Sequence, residues 1–200
     1  MEDVKMKHPG LLYAAVATLV LLLVSIPCQK DWDTAPVQWM PEYYSEPLSS
    51  YDDLIREMAD STGWGDWRLL ASVVYHESRF HNEARSHRGA VGLMQIRSER
   101  YTEEMLLDPR TNLRVGARYL KRLENMFPAA SPVEAVKFAL AAYNLGEGKV
   151  LQLVKATEAA GEDASRWDEV AKRLPEGHHT VRYVENVLDT YAVYAKRYPL

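Results

Sequence analysis

Glu77 is the residue whose type and setting point most directly to chemistry. It follows Val73 by four positions and Leu70 by seven, so in a helix all three share one stripe that is otherwise apolar. A carboxylate where packing residues belong is costly unless it is protonated, paired or used. It also falls near the C-terminal end of its predicted helix, where carbonyl dipoles oppose negative charge. Both settings raise a carboxyl pKa toward the range in which a general acid works at neutral pH. The plainer reading is an ion pair with Arg79 or Arg85.

His76-Glu77 also opens like a zinc-protease motif, which needs its second histidine four positions after the first. Position 80 is Phe, and His81 lies about 140° round the helix from His76, so the two imidazoles do not share a face. No metal site is expected. Gly89 and Gly92 bracket a second candidate, the run through Gln95 and Ile96, where glycine permits a tight turn or close approach to a ligand. The Gln95 amide offers a donor and an acceptor suited to sugar amides and hydroxyls. The alternative is a packed hairpin with Leu93, Met94 and Ile96 in the core. Tyr143, just ahead of the glycine at 146 that is expected to cap the helix, is suited to stacking on a sugar or bonding a carboxyl, or to bridging two helices.

The elements that must position these groups are helical. The pattern predicts a first helix over residues 51 to about 62, closed by Gly63, and a second capped by Asp66 and running through Glu77. Asp108-Pro109 supplies a cap and a first-turn proline for a helix with Leu113, Gly116, Ala117, Leu120, Leu123 and Phe127 on one face. Ser131-Pro132-Val133-Glu134 has capping-box form and opens a helix through Tyr143. Further helices are expected after Gly148, around Trp167 and Val170, and from about Thr180 through Ala195. The fold class is mostly α, with at most a small β element at 89–96.

Two hundred residues, 47% of them hydrophobic, suffice for one domain with a real core. A net charge of -4 argues against a nucleic-acid partner, which selects a basic face. Residues 11–26 are apolar behind Lys5 and Lys7, which favours an N-terminus retained in the cytoplasm and export of the rest. This reads residues 1–28 as a signal or membrane anchor, 29–50 as a Pro-containing linker and 51–200 as the functional domain. Cys28, the one cysteine, stands where lipoproteins carry a lipidated cysteine, but Pro27 and Ser25 fit that pattern poorly. A cleaved signal, an uncleaved anchor and a lipidated anchor all stay open.

Taken in order, Glu77-Ser78-Arg79-Phe80, Ser86, Gly92-Leu93-Met94-Gln95-Ile96, Asp108-Pro109-Arg110-Thr111-Asn112-Leu113 and Ala142-Tyr143-Asn144-Leu145-Gly146 resemble the soluble lytic transglycosylase family of lysozyme-like murein transglycosylases. Trp64 to Leu70 and Trp167-Asp168-Glu169-Val170 further resemble the catalytic domain of the membrane-bound murein transglycosylase F type. The resemblance covers roughly residues 51–198 and implies a lysozyme-like (goose-type) helical fold. It implies Glu77 as the catalytic acid, and substrate contacts at Ser86, Met94, Gln95, Tyr143, Asn144 and Tyr183. The implied substrate is the glycan strand of peptidoglycan in the periplasm or cell envelope, reached from a membrane-anchored N-terminus, with no cofactor. The implied reaction uses one carboxyl group, first as acid and then as base, to close a 1,6-anhydro ring on N-acetylmuramic acid. Most glycosidases need two carboxylates instead; Asp108 and Glu83 are the helper candidates, each more simply read as a cap or a solvent-facing charge. A goose-type hydrolase and a non-catalytic peptidoglycan-binding module are the alternatives. Two departures stand out: Arg97-Ser98 replaces the family's usual Met-Pro, and His179-Thr180 replaces a Glu-Thr pair.

Overall fold

Asp66 starts the helix that carries Glu77, and its side chain explains why the helix begins there. Its Oδ1 accepts the Arg68 backbone N–H at 2.9 Å, satisfying one of the free donors of the first turn. The same carboxylate is forked by the Arg68 guanidinium (2.9 and 2.6 Å) and accepts the Tyr191 hydroxyl at 2.8 Å. Arg68 in turn donates to the Tyr198 carbonyl at 2.7 Å, so a buried ion pair ties this helix start to the C-terminal helix.

The computed structural model describes residues 48–199; the expectations for residues 1–28 and for most of the 29–50 linker lie outside them. Eight helices are present among the described residues: α1 (Asp52–Thr62), α2 (Trp67–Ser78), α3 (Glu103–Leu107), α4 (Pro109–Glu124), α5 (Pro132–Leu145), α6 (Glu147–Ala159), α7 (Trp167–Ala171) and α8 (His179–Arg197). The β content among the described residues is two isolated bridges, Arg85 with Val91 and Val91 with Ile96, so the chain is mostly α with a small β element.

Helix α5 is the hub. Its Val133, Val136, Phe138, Leu140 and the alanines 139, 141 and 142 are all buried. The small side chains let α4, α6 and α8 approach it, while α2 packs along α8 and α1 against α4. Leu113, Gly116, Ala117, Leu120 and Leu123 of α4 are buried as their spacing predicts. Phe127 lies beyond the end of α4 and stacks on Phe138 with ring centroids 4.7 Å apart.

Two local expectations need correction. The Ser131 hydroxyl accepts the Glu134 N–H at 3.3 Å, but the Glu134 carboxylate does not complete the capping box. It accepts the Trp167 N–H at 2.6 Å and thereby seats α7, because a buried donor 33 residues away outbids the local one. The helix placed after Gly148 begins at Glu147, since Gly146 both ends α5 and starts α6 at φ 98.

Candidate active site

Helix α2 ends immediately after Glu77. Arg79 caps it in the left-handed conformation (φ 52) and Phe80 follows at φ 62, so the chain reverses directly behind the carboxylate. Glu77 is half-buried, and Tyr183 of α8 donates its hydroxyl to Glu77 Oε1 at 2.7 Å. Burial holds the Glu77 carboxyl above the ordinary carboxylate range, partly offset by the bond from Tyr183. Burial also drives the Tyr183 hydroxyl well above the usual phenol range, with the Glu77 charge adding to it. The ion pair that would have made Glu77 a structural residue is absent among the described residues. Arg79 lies over the Tyr75 ring at 3.9 Å and Arg85 pairs with Glu103 at 2.7 Å.

The loop from Ala84 to Ile96 forms the next wall. Ser86 closes a turn in which its backbone N–H donates to the Ala90 carbonyl (2.9 Å) and its hydroxyl accepts the Ala90 N–H (3.0 Å). Gln95 stands in the left-handed region at φ 48, and its Nε2 donates to the carbonyls of Ala84 and Gly92, both at 3.1 Å. Those bonds fix the amide and leave Oε1 without a hydrogen-bond partner among the described residues. Gly92 (φ 80) is buried where a Cβ would meet the Leu106 carbonyl at 2.7 Å and the Asn112 amide closer still, so close approach accounts for this glycine.

Tyr143, in the last turn of α5, donates to the Met94 carbonyl at 2.6 Å. Asn144 Oδ1 accepts the Thr180 hydroxyl at 2.8 Å, joining the end of α5 to the start of α8. Glu77, Ser86, Gln95, Tyr143 and Asn144 line one cleft of about 870 Å³, and Tyr183 reaches it through Glu77. Met94 differs from the expectation of direct substrate contact. Its side chain is wholly buried and fills the space that Gly116 leaves on α4, and its carbonyl accepts the Tyr143 hydroxyl. Asp108 and Glu83 are outside the cleft lining; Asp108 Oδ2 caps α4 by accepting the Thr111 N–H at 2.8 Å. Glu77 is the one carboxylate lining the cleft among the described residues. His76 and His81 go to separate partners, the Thr190 hydroxyl and the Ser78 carbonyl.

Sequence reasoning assigned no role to Asn112. It is fully buried, accepts the Met94 N–H at 2.8 Å and donates to the carbonyls of Val91 (2.9 Å) and Leu106 (2.8 Å). A polar residue on the buried face of α4, five positions into the Asp108-Pro109 run, was the available signal. Tyr119 is a second omission: its ring lies 5.5 Å from that of Tyr143 and its hydroxyl donates to Glu147 at 3.3 Å.

The chain has relatives among known proteins. The family described as Transglycosylase SLT domain matches residues 54–165. A membrane-bound lytic murein transglycosylase F from Desulfosudis oleivorans is 33% identical over 168 residues, covering 73% of this chain and 36% of the relative. Its namesake from Aeromonas hydrophila subsp. hydrophila is 36% identical over 146 residues, covering 68% of this chain and 29% of the relative. Among solved structures, the 70 kDa soluble lytic transglycosylase from Escherichia coli superposes with a TM-score of 0.60 at 27% identity, over 75% of this chain and 24% of that one. An inactive mutant of lytic transglycosylase Slt from Pseudomonas aeruginosa gives a TM-score of 0.56 at 26% identity, over 74% and 24%. The chain thus spans about a third of the length of these curated relatives and about a quarter of these solved chains. With the match over residues 54–165 and the shared lysozyme-like helical fold, this chain belongs to the Transglycosylase SLT domain family.

Proposed function

We propose that this protein is a lytic murein transglycosylase that cleaves the β-1,4 bond from N-acetylmuramic acid to N-acetylglucosamine without water. The observation that carries the reading is Glu77, the one carboxylate lining the cleft among the described residues, half-buried and biased toward its protonated form. Protonated Glu77 donates to the glycosidic oxygen, and the C1–O bond breaks. The resulting carboxylate then accepts the proton of the muramoyl C6 hydroxyl as its oxygen closes on C1, giving a 1,6-anhydro sugar and restoring Glu77. Donation creates the base that the second step needs, so one carboxyl group serves both. The substrate's own 2-acetamido group is placed to stabilise the oxocarbenium stage, the role a second carboxylate plays in most glycosidases.

Tyr183 orients the Glu77 carboxyl. Ser86, Gln95 Oε1, Tyr143 and Asn144 are the proposed contacts for sugar hydroxyls, acetamides and ring faces. The relatives named membrane-bound support an envelope location, with residues 11–28 as the exporting and anchoring segment. No helix among the described residues is long and apolar enough to cross a membrane.

The test is incubation of the full-length chain and of Glu77→Gln with purified peptidoglycan, followed by mass analysis of released muropeptides. Anhydro products from wild type and none from the variant are expected. Reducing-end products from wild type would make the protein a goose-type hydrolase instead. Binding to sacculi without any release would make it a non-catalytic module.

A further inference from the structure

The cleft is lopsided in charge. Arg88, Arg97, Arg100 and Arg122 line it against a single acidic residue, in a chain with 28 acidic and 24 basic residues overall. Arg122 is committed elsewhere: it pairs with Glu147 at 2.5 Å and lies 4.9 Å from the Tyr119 ring centre. The other three are uncommitted. Among the described residues, the guanidinium groups of Arg88, Arg97 and Arg100 make no hydrogen bond, ion pair or ring contact, and all three residues are exposed. Acidic partners are not lacking nearby, since Arg85 finds Glu103 at 2.7 Å, while Glu99 and Glu104 are exposed outside the cleft lining.

Arg88 rides on the Ser86 turn, and Arg97 and Arg100 come from the segment after Ile96, so two loops joined by the Val91–Ile96 bridge bring all three to the lining of one cleft. Glu77 is half-buried and bonded by Tyr183, whereas these arginines are exposed and none of them bonds it among the described residues. They therefore address charge carried away from the bond being cleaved. The sugar hydroxyls and acetamides of a murein strand are neutral. Its carboxylates sit on the peptide attached to the lactyl group of N-acetylmuramic acid, and planar guanidinium groups match carboxylates bidentately.

Resting on the function proposed above, we infer that Arg88, Arg97 and Arg100 form a carboxylate-binding edge that selects strands bearing acidic stem peptides. Strands whose peptide carboxylates are amidated are disfavoured, and strands stripped of peptide, which keep one lactyl carboxylate per muramic acid, fall between the two.

The experiment compares the full-length chain with the R88Q/R97Q/R100Q variant on three substrates: acidic, amidated and peptide-free strands. Released fragments give kcat and KM separately. For wild type, kcat/KM is expected to favour acidic over amidated strands about tenfold, as three exposed pairs would give. The gain should lie mainly in KM and shrink as salt is raised from about 0.05 to about 0.5 M. The variant should lose that ratio. The inference is overturned if wild type shows no preference, or if the variant slows all three substrates equally. It is also overturned if the variant keeps the preference but no longer sediments with phosphatidylglycerol vesicles, which would turn this edge toward a membrane. Calorimetry of Glu77→Gln with acidic and amidated muropeptides reads the edge without turnover. A binding preference there, with wild type releasing nothing from any strand, would sink the catalytic reading and leave the edge standing.

Discussion

Replacing Asn112 by Ala should unfold the floor of the cleft, at a cost that follows from three hydrogen bonds. The Asn112 amide satisfies the Met94 N–H and the carbonyls of Val91 and Leu106, all from one fully buried side chain. The Val91 carbonyl keeps a second partner, the Ile96 N–H at 2.9 Å, and so loses least. The Met94 N–H and Leu106 carbonyl lose the partner that the amide provides. At about 1–3 kcal/mol for each of these two buried groups left without a partner, N112A should cost about 2–6 kcal/mol. That is a large share of the roughly 5–15 kcal/mol that holds a domain of this kind together, and should lower Tm by roughly 5–25 °C. N112D separates hydrogen bonding from volume. Its carboxylate still accepts the Met94 N–H but turns an oxygen toward two carbonyls, which favours the protonated form in the folded state. A carboxyl whose folded pKa is raised stabilises the fold below its unfolded pKa and loses that contribution as pH rises through the folded pKa. The N112D deficit relative to wild type should therefore be small near pH 4 and grow toward pH 7, while that of N112A stays level. Urea unfolding of the three full-length chains at both pH values measures this. An N112A cost below about 1 kcal/mol, or an N112D cost independent of pH, would refute the argument.

Other outcomes follow from the same geometry. Glu77→Gln should lower turnover by at least 10²-fold, about the minimum contribution of a general acid. Its stability gain over wild type should be absent at low pH and emerge as pH rises, because it removes a buried carboxyl whose folded pKa is raised; urea midpoints against pH check this. Tyr183→Phe deletes the hydrogen bond that holds the Glu77 pKa down, so the alkaline limb of the pH–rate profile should move upward while kcat falls about tenfold. A limb that stays in place or moves to lower pH would contradict the role given to Tyr183. Gly116→Ala would set a methyl 2.9 Å from Met94 Cβ, and should cost about 1–3 kcal/mol by overpacking, read from the same unfolding curves.

What the sequence announced and what it hid divide along contact range. Asp66, Asp108 and Ser131 were readable as caps because each bonds a backbone N–H two or three residues on. The buried face of α4 was readable because its period is that of the helix. Glu77 stood out for the same reason, as a break in a periodic stripe. The Glu134 carboxylate was misassigned because its partner, Trp167, is 33 residues away. Helix α3 has five residues with one of them buried, too short to leave a period. Met94 looked like a contact residue because a linear motif does not distinguish a side chain from its own carbonyl. The arginine edge joins two loops, and no local pattern reports which guanidinium groups lack partners.

The span from Asp66 to Glu77 behaves as a ruler. One end is held by the buried Asp66–Arg68–Tyr191 cluster, and the other by the left-handed pair Arg79 and Phe80. Because each added residue turns a helix by about 100°, a single insertion in α2 would swing the carboxylate away from Tyr183 even if every core contact could be rebuilt. Substitutions along α2 are open to drift, but its length is not. Insertions in descendants of this chain should collect in exposed turns such as 160–163 and avoid residues 67–78.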